Sequence, residues 1–147
     1  SRPSLQYAVD YHGINLQSKH DLVAVTGPER KATFAITNAE VTTEHVVKDF
    51  DMLHVTPPQS APDFIRESPL ANGGGWVDVD PATLQHTKYP FVFGLGDVIG
   101  TSNAKTMAAA RAQTPIVTAN LLASLDGKPL TGAYDGYGAC PLTVGYA

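Results

Sequence analysis

The sequence predicts an α/β protein, and three observations carry that expectation. Alternating apolar runs around a Gly27-Pro28 turn mark extended segments early in the chain. The apolar run Phe91-Val92-Phe93 passes directly into Gly94-Leu95-Gly96-Asp97. A stretch of small and apolar residues (Met107, Ala108, Ala110, Ile116, Val117, Leu121, Leu122) then reads as one helix. A strand ending in glycines and a carboxylate, with a helix after it, is how α/β proteins build nucleotide sites.

At 147 residues and 43% apolar, the chain suits one ordinary core, or at most two small domains. Fourteen acidic against ten basic side chains give a net charge of −4. Lysine and arginine are scattered, so nucleic acid is not an expected partner. No stretch approaches the roughly 20 apolar residues of a membrane span, and SRPSLQYAVD lacks the plan of a signal peptide, so a soluble chain is expected. With no initiator Met and an opening that reads as the tail of an apolar helical segment (Leu5, Ala8, Val9), the sequence is expected to be a piece of a longer protein. Cys140 is the single cysteine, which excludes an internal disulfide and a multi-thiolate metal site, and no metal is expected. Taken alone, a lone cysteine is more often a small buried side chain than a reactive one.

In chain order, Ile14 to Ile36 (INL, LVAVT, then ATFAI after the turn) predicts a small antiparallel hairpin region. Thr42 to Lys48 is less decisive. Phe50 to Val55 (FDMLHV) reads as another strand, stopped by Pro57 and Pro58. Gln59 to Gly75, with Pro62, Pro69 and three consecutive glycines, should be mostly irregular. Trp76 to Val79 and Phe91 to Phe93 are short strand candidates. Ser102 or Asn103 is suited to cap the helix, Pro115 should kink or divide it, and Gly127 should end it. Tyr134 to Tyr146 is rich in glycine and aromatics, and no repeat or low-complexity tract is present.

The candidate ligand site lies where strand meets helix. Glycine permits close approach of a ligand to the backbone at Gly96, and the Asp97 carboxylate can accept hydrogen bonds from sugar or ribityl hydroxyls. The helix N-terminus adds unpaired N–H groups and partial positive charge, and Lys105 and Thr106, expected in its first turn, add an ammonium and a hydroxyl. The competing account is a strand-end turn whose Asp caps the helix, with Lys105 and Thr106 on a solvated helix end. Imidazole side chains can relay protons, but a structural role is favoured for His54 and His86 and neither joins the site.

The run YPFVFGLGDV resembles the second flavin-contacting motif of the pyridine nucleotide-disulfide oxidoreductase superfamily, in which the Asp contacts the ribityl chain of FAD. More narrowly, MLHVTPP at 52 to 58, GWVDVDPATLQHTKYPFVFGLGDV at 75 to 98, TSNAKTMAAARAQTP at 101 to 115 and YDGYGACPLTVGY at 134 to 146 resemble the sulfide:quinone oxidoreductase family. The match runs in order over about residues 5 to 147, and the last block is its most specific part.

This resemblance implies a partial FAD/NAD(P)-binding Rossmann-like fold from a flavoprotein with two dinucleotide domains. Residues 1 to 50 would end the second, NAD-type domain, and 51 to 147 would form the C-terminal half of the FAD domain. It implies that Cys140, in Y-D-G-Y-x-x-C-P-L, is one of two redox cysteines before the flavin, the other lying upstream. Sulfide would open their sulfur bridge, a thiolate would pass two electrons to FAD, and a quinone would take them from the opposite ring face. Tyr134, Tyr137, Leu142, Val144 and Tyr146 are candidates for an apolar quinone slot, though packing is the commoner use of such residues.

Departures bound the expectation. The G-x-G-x-x-G that should open the FAD domain is absent here, as are the first cysteine and the amphipathic segment that attaches this family to a membrane surface. The isolated chain is therefore expected to be soluble, inactive and without FAD, with the parent peripheral to a membrane. VTPP stands where the wider superfamily has an A-T-G-type segment, which favours the sulfide:quinone branch. A type II NADH dehydrogenase, a flavocytochrome sulfide dehydrogenase and a non-catalytic binding or dimerisation module stay open as alternatives, and so does a homo-oligomer.

Overall fold

The computed structural model describes residues 2–37 and 43–145, and these form two compact units. The first comprises Ser1–Pro57 with Thr143–Ala147, and the second Pro58–Leu142.

In the first unit, α1 (Arg2–Tyr11) stacks Tyr7 on Tyr11 one turn apart, with ring centroids separated by 5.9 Å. Gly13, at φ +62°, ends it: its N–H bonds Asp10 O at 3.2 Å and the Ile14 N–H bonds Val9 O at 2.9 Å. This is a Schellman motif, which satisfies carbonyls that the helix end would otherwise orphan. The antiparallel sheet follows in the order β1 (His20–Thr26), β2 (Lys31–Thr37), β3 (Thr43–Asp49). The β1–β2 hairpin closes over Gly27–Arg30 as the sequence predicts, with the Arg30 N–H on Gly27 O at 3.0 Å and Thr26 opposite Lys31.

The strand expected at Phe50 to Val55 does not form. Asp49 pairs with Lys31, the first residue of β2, and the Phe50 N–H closes the ladder on Arg30 O at 2.9 Å. Beyond that point β2 has already turned away into the hairpin, so residues 51–55 have nothing to pair with. Thr42 lies outside the described residues.

In the second unit, a single turn of helix, α2 (Asp63–Arg66), is the one regular element in the stretch expected to be irregular. The core gathers Val77, Val79, Leu84, Ile99 and Tyr134, with Ile65, Leu70, Ala112, Ile116 and Val117 packed against it. Trp76 to Val79 and Phe91 to Phe93 are not strands. Val77 bonds Val98 and Gly100, Asp78 bonds Leu70, and Asp80 bonds Gln85, so each residue finds a different neighbour and only isolated bridges result. Leu84 sits at φ +61°, a costly conformation for a branched side chain, and its complete burial offsets that cost. The Asp80 carboxylate fixes the same turn. It accepts from the Thr83 N–H at 2.7 Å, the Thr83 hydroxyl and the Ala82 N–H, and these bonds, Thr83's foremost, hold its pKa below the usual value.

The long helix α3 runs from Met107 to Leu125 and continues through Pro115 without a break. Next to the proline, the Thr114 hydroxyl donates to Ala110 O at 2.8 Å. The helix ends at Gly127 as predicted, at φ +67°, with a second Schellman pair: Lys128 N–H to Ala123 O, and Gly127 N–H to Ser124 O.

Candidate functional site

The turn between the Phe91–Phe93 segment and α3 is built from the backbone outward. Leu95 is extended at φ −151°, Gly96 turns at φ +75°, and Gly96–Val98 make one turn of 3₁₀ helix. Only glycine takes the Gly96 conformation without strain. The neighbouring Gly94 is needed for space, since a Cβ there would stand 2.6 Å from Ile99 Cγ2 and 3.2 Å from Val79 Cγ1. The Gly96 N–H donates to Gln113 Oε1 at 2.7 Å, from a glutamine on α3 that is fully buried.

Asp97 follows with an exposed side chain, and among the described residues its carboxylate makes no hydrogen bond. It does not cap the helix. That role belongs to Thr106, whose hydroxyl accepts from the Ala109 N–H at 3.3 Å. The expectation of Ser102 or Asn103 as cap is thereby corrected, and Lys105 and Thr106 precede the first helical turn instead of lying in it. The cause is Lys105, whose ammonium donates to Asp97 O and Ile99 O, both at 2.7 Å, and so draws the chain up to residue 105 against the turn before the helix can start.

Lys105 Nζ also lies 3.8 Å from the centre of the Trp76 ring. Burial lowers its pKa from the usual lysine value, and the negative charge of Asp97 partly restores it. Trp76, Asp97, Val98 and Lys105 line a cavity of about 370 Å³ with Gln59, Ser60 and Pro62. It offers one carboxylate, one ammonium and an indole face, a set suited to part of a dinucleotide and too small for a whole one.

The cysteine segment is held differently. The Tyr134 N–H bonds Ala82 O at 2.8 Å, its hydroxyl donates to Tyr137 O, and the Tyr137 N–H bonds Asp135 Oδ1 at 2.9 Å. Upstream, the buried Asn120 holds Gly132 from both sides, accepting its N–H at 2.8 Å and donating to its carbonyl at 2.9 Å. Gly138 runs along Ala104, just before α3. Residues 135–142 have no regular structure and are exposed, Cys140 among them as a free thiol.

No family model matches the chain. Individual proteins do: it is 42% identical over 143 residues, 97% of its length, to the mitochondrial sulfide:quinone oxidoreductase of Mus musculus, and 42% identical over 136 residues to that of Schizosaccharomyces pombe. The chain belongs to the sulfide:quinone oxidoreductase family. It spans about a third of the length of these curated relatives, 31% and 29%. An FAD-dependent oxidoreductase of Flammulina velutipes is 39% identical over 54 residues, 37% of the chain. Among solved structures, a chain of the Tetrahymena thermophila mitochondrial ATP synthase, determined by cryo-EM, superposes with a TM-score of 0.79 at 33% identity, covering 97% of this chain and 33% of that one. The α/β class stands, in keeping with a partial Rossmann-like fold.

The structure brings Asp97 and Lys105 to one cavity and places Gly96 and Thr106 at the two ends of the segment that forms it. Cys140 lines neither this cavity nor the smaller one, of about 260 Å³, between α3 and the Tyr134 turn. Tyr134 and Tyr137 line the smaller hollow, Leu142 and Val144 do not, and Tyr146 lies outside the described residues. His86 is a structural residue: its ring accepts from the Lys88 and Tyr89 N–H groups and donates to Leu70 O. His54 is exposed beside Thr56. Sequence reasoning missed Trp76 and Gln113. The signal for Gln113 was an amide on the helix face that also carries Ala109, Ile116 and Val117. No described helix is long and apolar enough to cross a membrane.

Proposed function

We propose that this chain supplies the Asp97 side of an FAD site and one redox thiol, Cys140, to a flavoprotein that oxidises sulfide to polysulfide sulfur and passes the electrons to a quinone. The observation that carries the reading is the likeness to sulfide:quinone oxidoreductases over 97% of the chain, with the Y-D-G-Y-x-x-C-P-L segment within the matched length. The boundary between the NAD-type and FAD-type parts is placed near residue 50, and the parent is read as peripheral to a membrane.

The residues present suit the cofactor. An exposed carboxylate with no hydrogen-bond partner among the described residues follows a glycine that lets the backbone approach a ligand, beside a cavity walled by an indole. Asp97 would accept hydrogen bonds from the ribityl hydroxyls. Lys105 fixes the carbonyls of residues 97 and 99 and brings positive potential to the site. Gly96 and Thr106 set the turn and the start of α3. When bound, FAD supplies the capacity to take up two electrons. Cys140, exposed on an irregular segment, is open to sulfide and to a second thiol, as thiol–disulfide exchange requires.

The test uses the intact protein under anaerobic conditions. Excess sulfide should bleach the flavin absorbance, and added quinone should restore it. Bleaching by NADH and not by sulfide would overturn the reading in favour of an NADH dehydrogenase. The 147-residue chain on its own should purify colourless, since it lacks the G-x-G-x-x-G turn that holds the pyrophosphate.

A further inference from the structure

Helices bury apolar residues, yet two of the three fully enclosed side chains of α3 are amides, Gln113 and Asn120. Asn120 accounts for itself: its Nδ2 donates to Thr83 O and Gly132 O, and its Oδ1 accepts from the Gly132 N–H. Gln113 is half satisfied. Its Oε1 takes the Gly96 N–H, while its Nε2 is buried with no partner among the described residues. A buried amide nitrogen without an acceptor is destabilising, and methionine would fill the same length without that cost. Packing therefore does not explain a glutamine here. Its oxygen does, and that oxygen has one partner, the N–H of a residue at φ +75° beside Asp97.

We propose that Gln113 is the positioning residue of the Gly96–Asp97 turn, supplying from the interior of α3 the acceptor that the turn's own backbone lacks. Gly96 follows an extended residue and opens a single 3₁₀ turn, so its N–H, at the start of that turn, has no partner within it. Clamped by Gln113, it sets the direction in which the chain presents the next side chain, the Asp97 carboxylate at the cavity. The glutamine stands 17 positions downstream of the glycine, so the clamp also ties the turn to the helix that follows it. The inference deepens the reading of this turn as part of an FAD site and rests on that reading for its functional consequence, though not for its structural one.

The test compares Gln113→Met and Gln113→Glu with the wild type in the intact protein, by hydrogen–deuterium exchange resolved to single amides and by FAD titration. Exchange of the Gly96 amide should accelerate at least about tenfold in Gln113→Met, as expected for loss of a buried hydrogen bond. The Leu84 and Gly94 amides should stay protected. Gln113→Glu keeps an acceptor oxygen and should recover much of the Gly96 protection. The FAD dissociation constant of Gln113→Met should weaken by about tenfold, with Gln113→Glu between it and the wild type. Unchanged Gly96 exchange in Gln113→Met overturns the proposal. So does acceleration at Leu84 and Gly94 equal to that at Gly96, which would make Gln113 ordinary core. If the wild type binds no FAD while Gln113→Met still accelerates Gly96 exchange, the cofactor reading is overturned and the clamp stands.

Discussion

The turn from Gly94 to Ile99 and the segment from Tyr134 to Leu142 hold the two groups proposed for chemistry, Asp97 and Cys140, and the fold treats them in opposite ways. The turn is backed by the core: Gly94 and Ile99 are buried, Gly96 is clamped by a buried glutamine, and Lys105 seals two of its carbonyls. The cysteine segment is pinned at Tyr134 and Gly132 and then runs exposed to Cys140. A site that must hold a rigid cofactor gains from groups fixed before binding. A thiol that must meet a small nucleophile and a partner sulfur gains from access. The difference teaches that one helix, α3, anchors both regions, the turn through Gln113 and the start of the cysteine segment through Asn120, and that the thiol lies beyond the reach of that anchor.

The largest expected effect falls on the exposed side. In the intact protein, Cys140→Ser should reduce sulfide-dependent flavin bleaching to background while leaving FAD bound, since a hydroxyl neither bridges sulfur nor ionises at neutral pH. Stopped-flow absorbance with excess sulfide measures it, and a wild-type rate would remove Cys140 from the reaction. On the ordered side, Asp97→Ala should weaken FAD by one to two decades, the worth of a charged hydrogen bond at about 1.5–3 kcal/mol. An unchanged dissociation constant would leave the carboxylate without a role, because Thr106 already caps α3.

Two glycine substitutions sharpen the contrast without reference to activity. Gly94→Ala puts a methyl 2.6 Å from Ile99 Cγ2 and should cost about 1–3 kcal/mol by overpacking, seen as a lower midpoint in urea unfolding. Gly138→Ala meets nothing nearer than Ala104 O at 3.5 Å and should change stability by less than about 0.5 kcal/mol. Equal effects at the two glycines would erase the distinction between the regions.

The sequence made the hairpin, the long helix, its glycine stop and the glycine–aspartate turn legible because each depends on local chemistry: a proline turn, a helical period, a left-handed residue. Phe50 to Val55 and the Trp76 segment were misjudged because a strand also needs a neighbour of matching length, which local pattern does not report. The cap was misplaced by a few residues because Lys105 folds back on the preceding turn, a contact across eight positions with no periodic trace. The roles proposed for Cys140 and Asp97 rest on family resemblance more than on spacing. Gln113 was overlooked because an amide in a helix reads as surface until its partner is known.

The Asn120 clamp also bears on how this chain tolerates changes in length. After Gly127 ends α3, residues 127–129 are exposed, so added residues there would lengthen a surface loop and leave the anchors untouched. From Gly132 onward there is no such slack. Its N–H and carbonyl are both taken by Asn120, a side chain there would crowd Ile116 O at 3.1 Å, and two residues later Tyr134 is tied to Ala82. A residue inserted between 132 and 134 would shift the frame of everything up to the cysteine. Length variants of this protein should therefore accumulate just after α3 and stop short at Gly132.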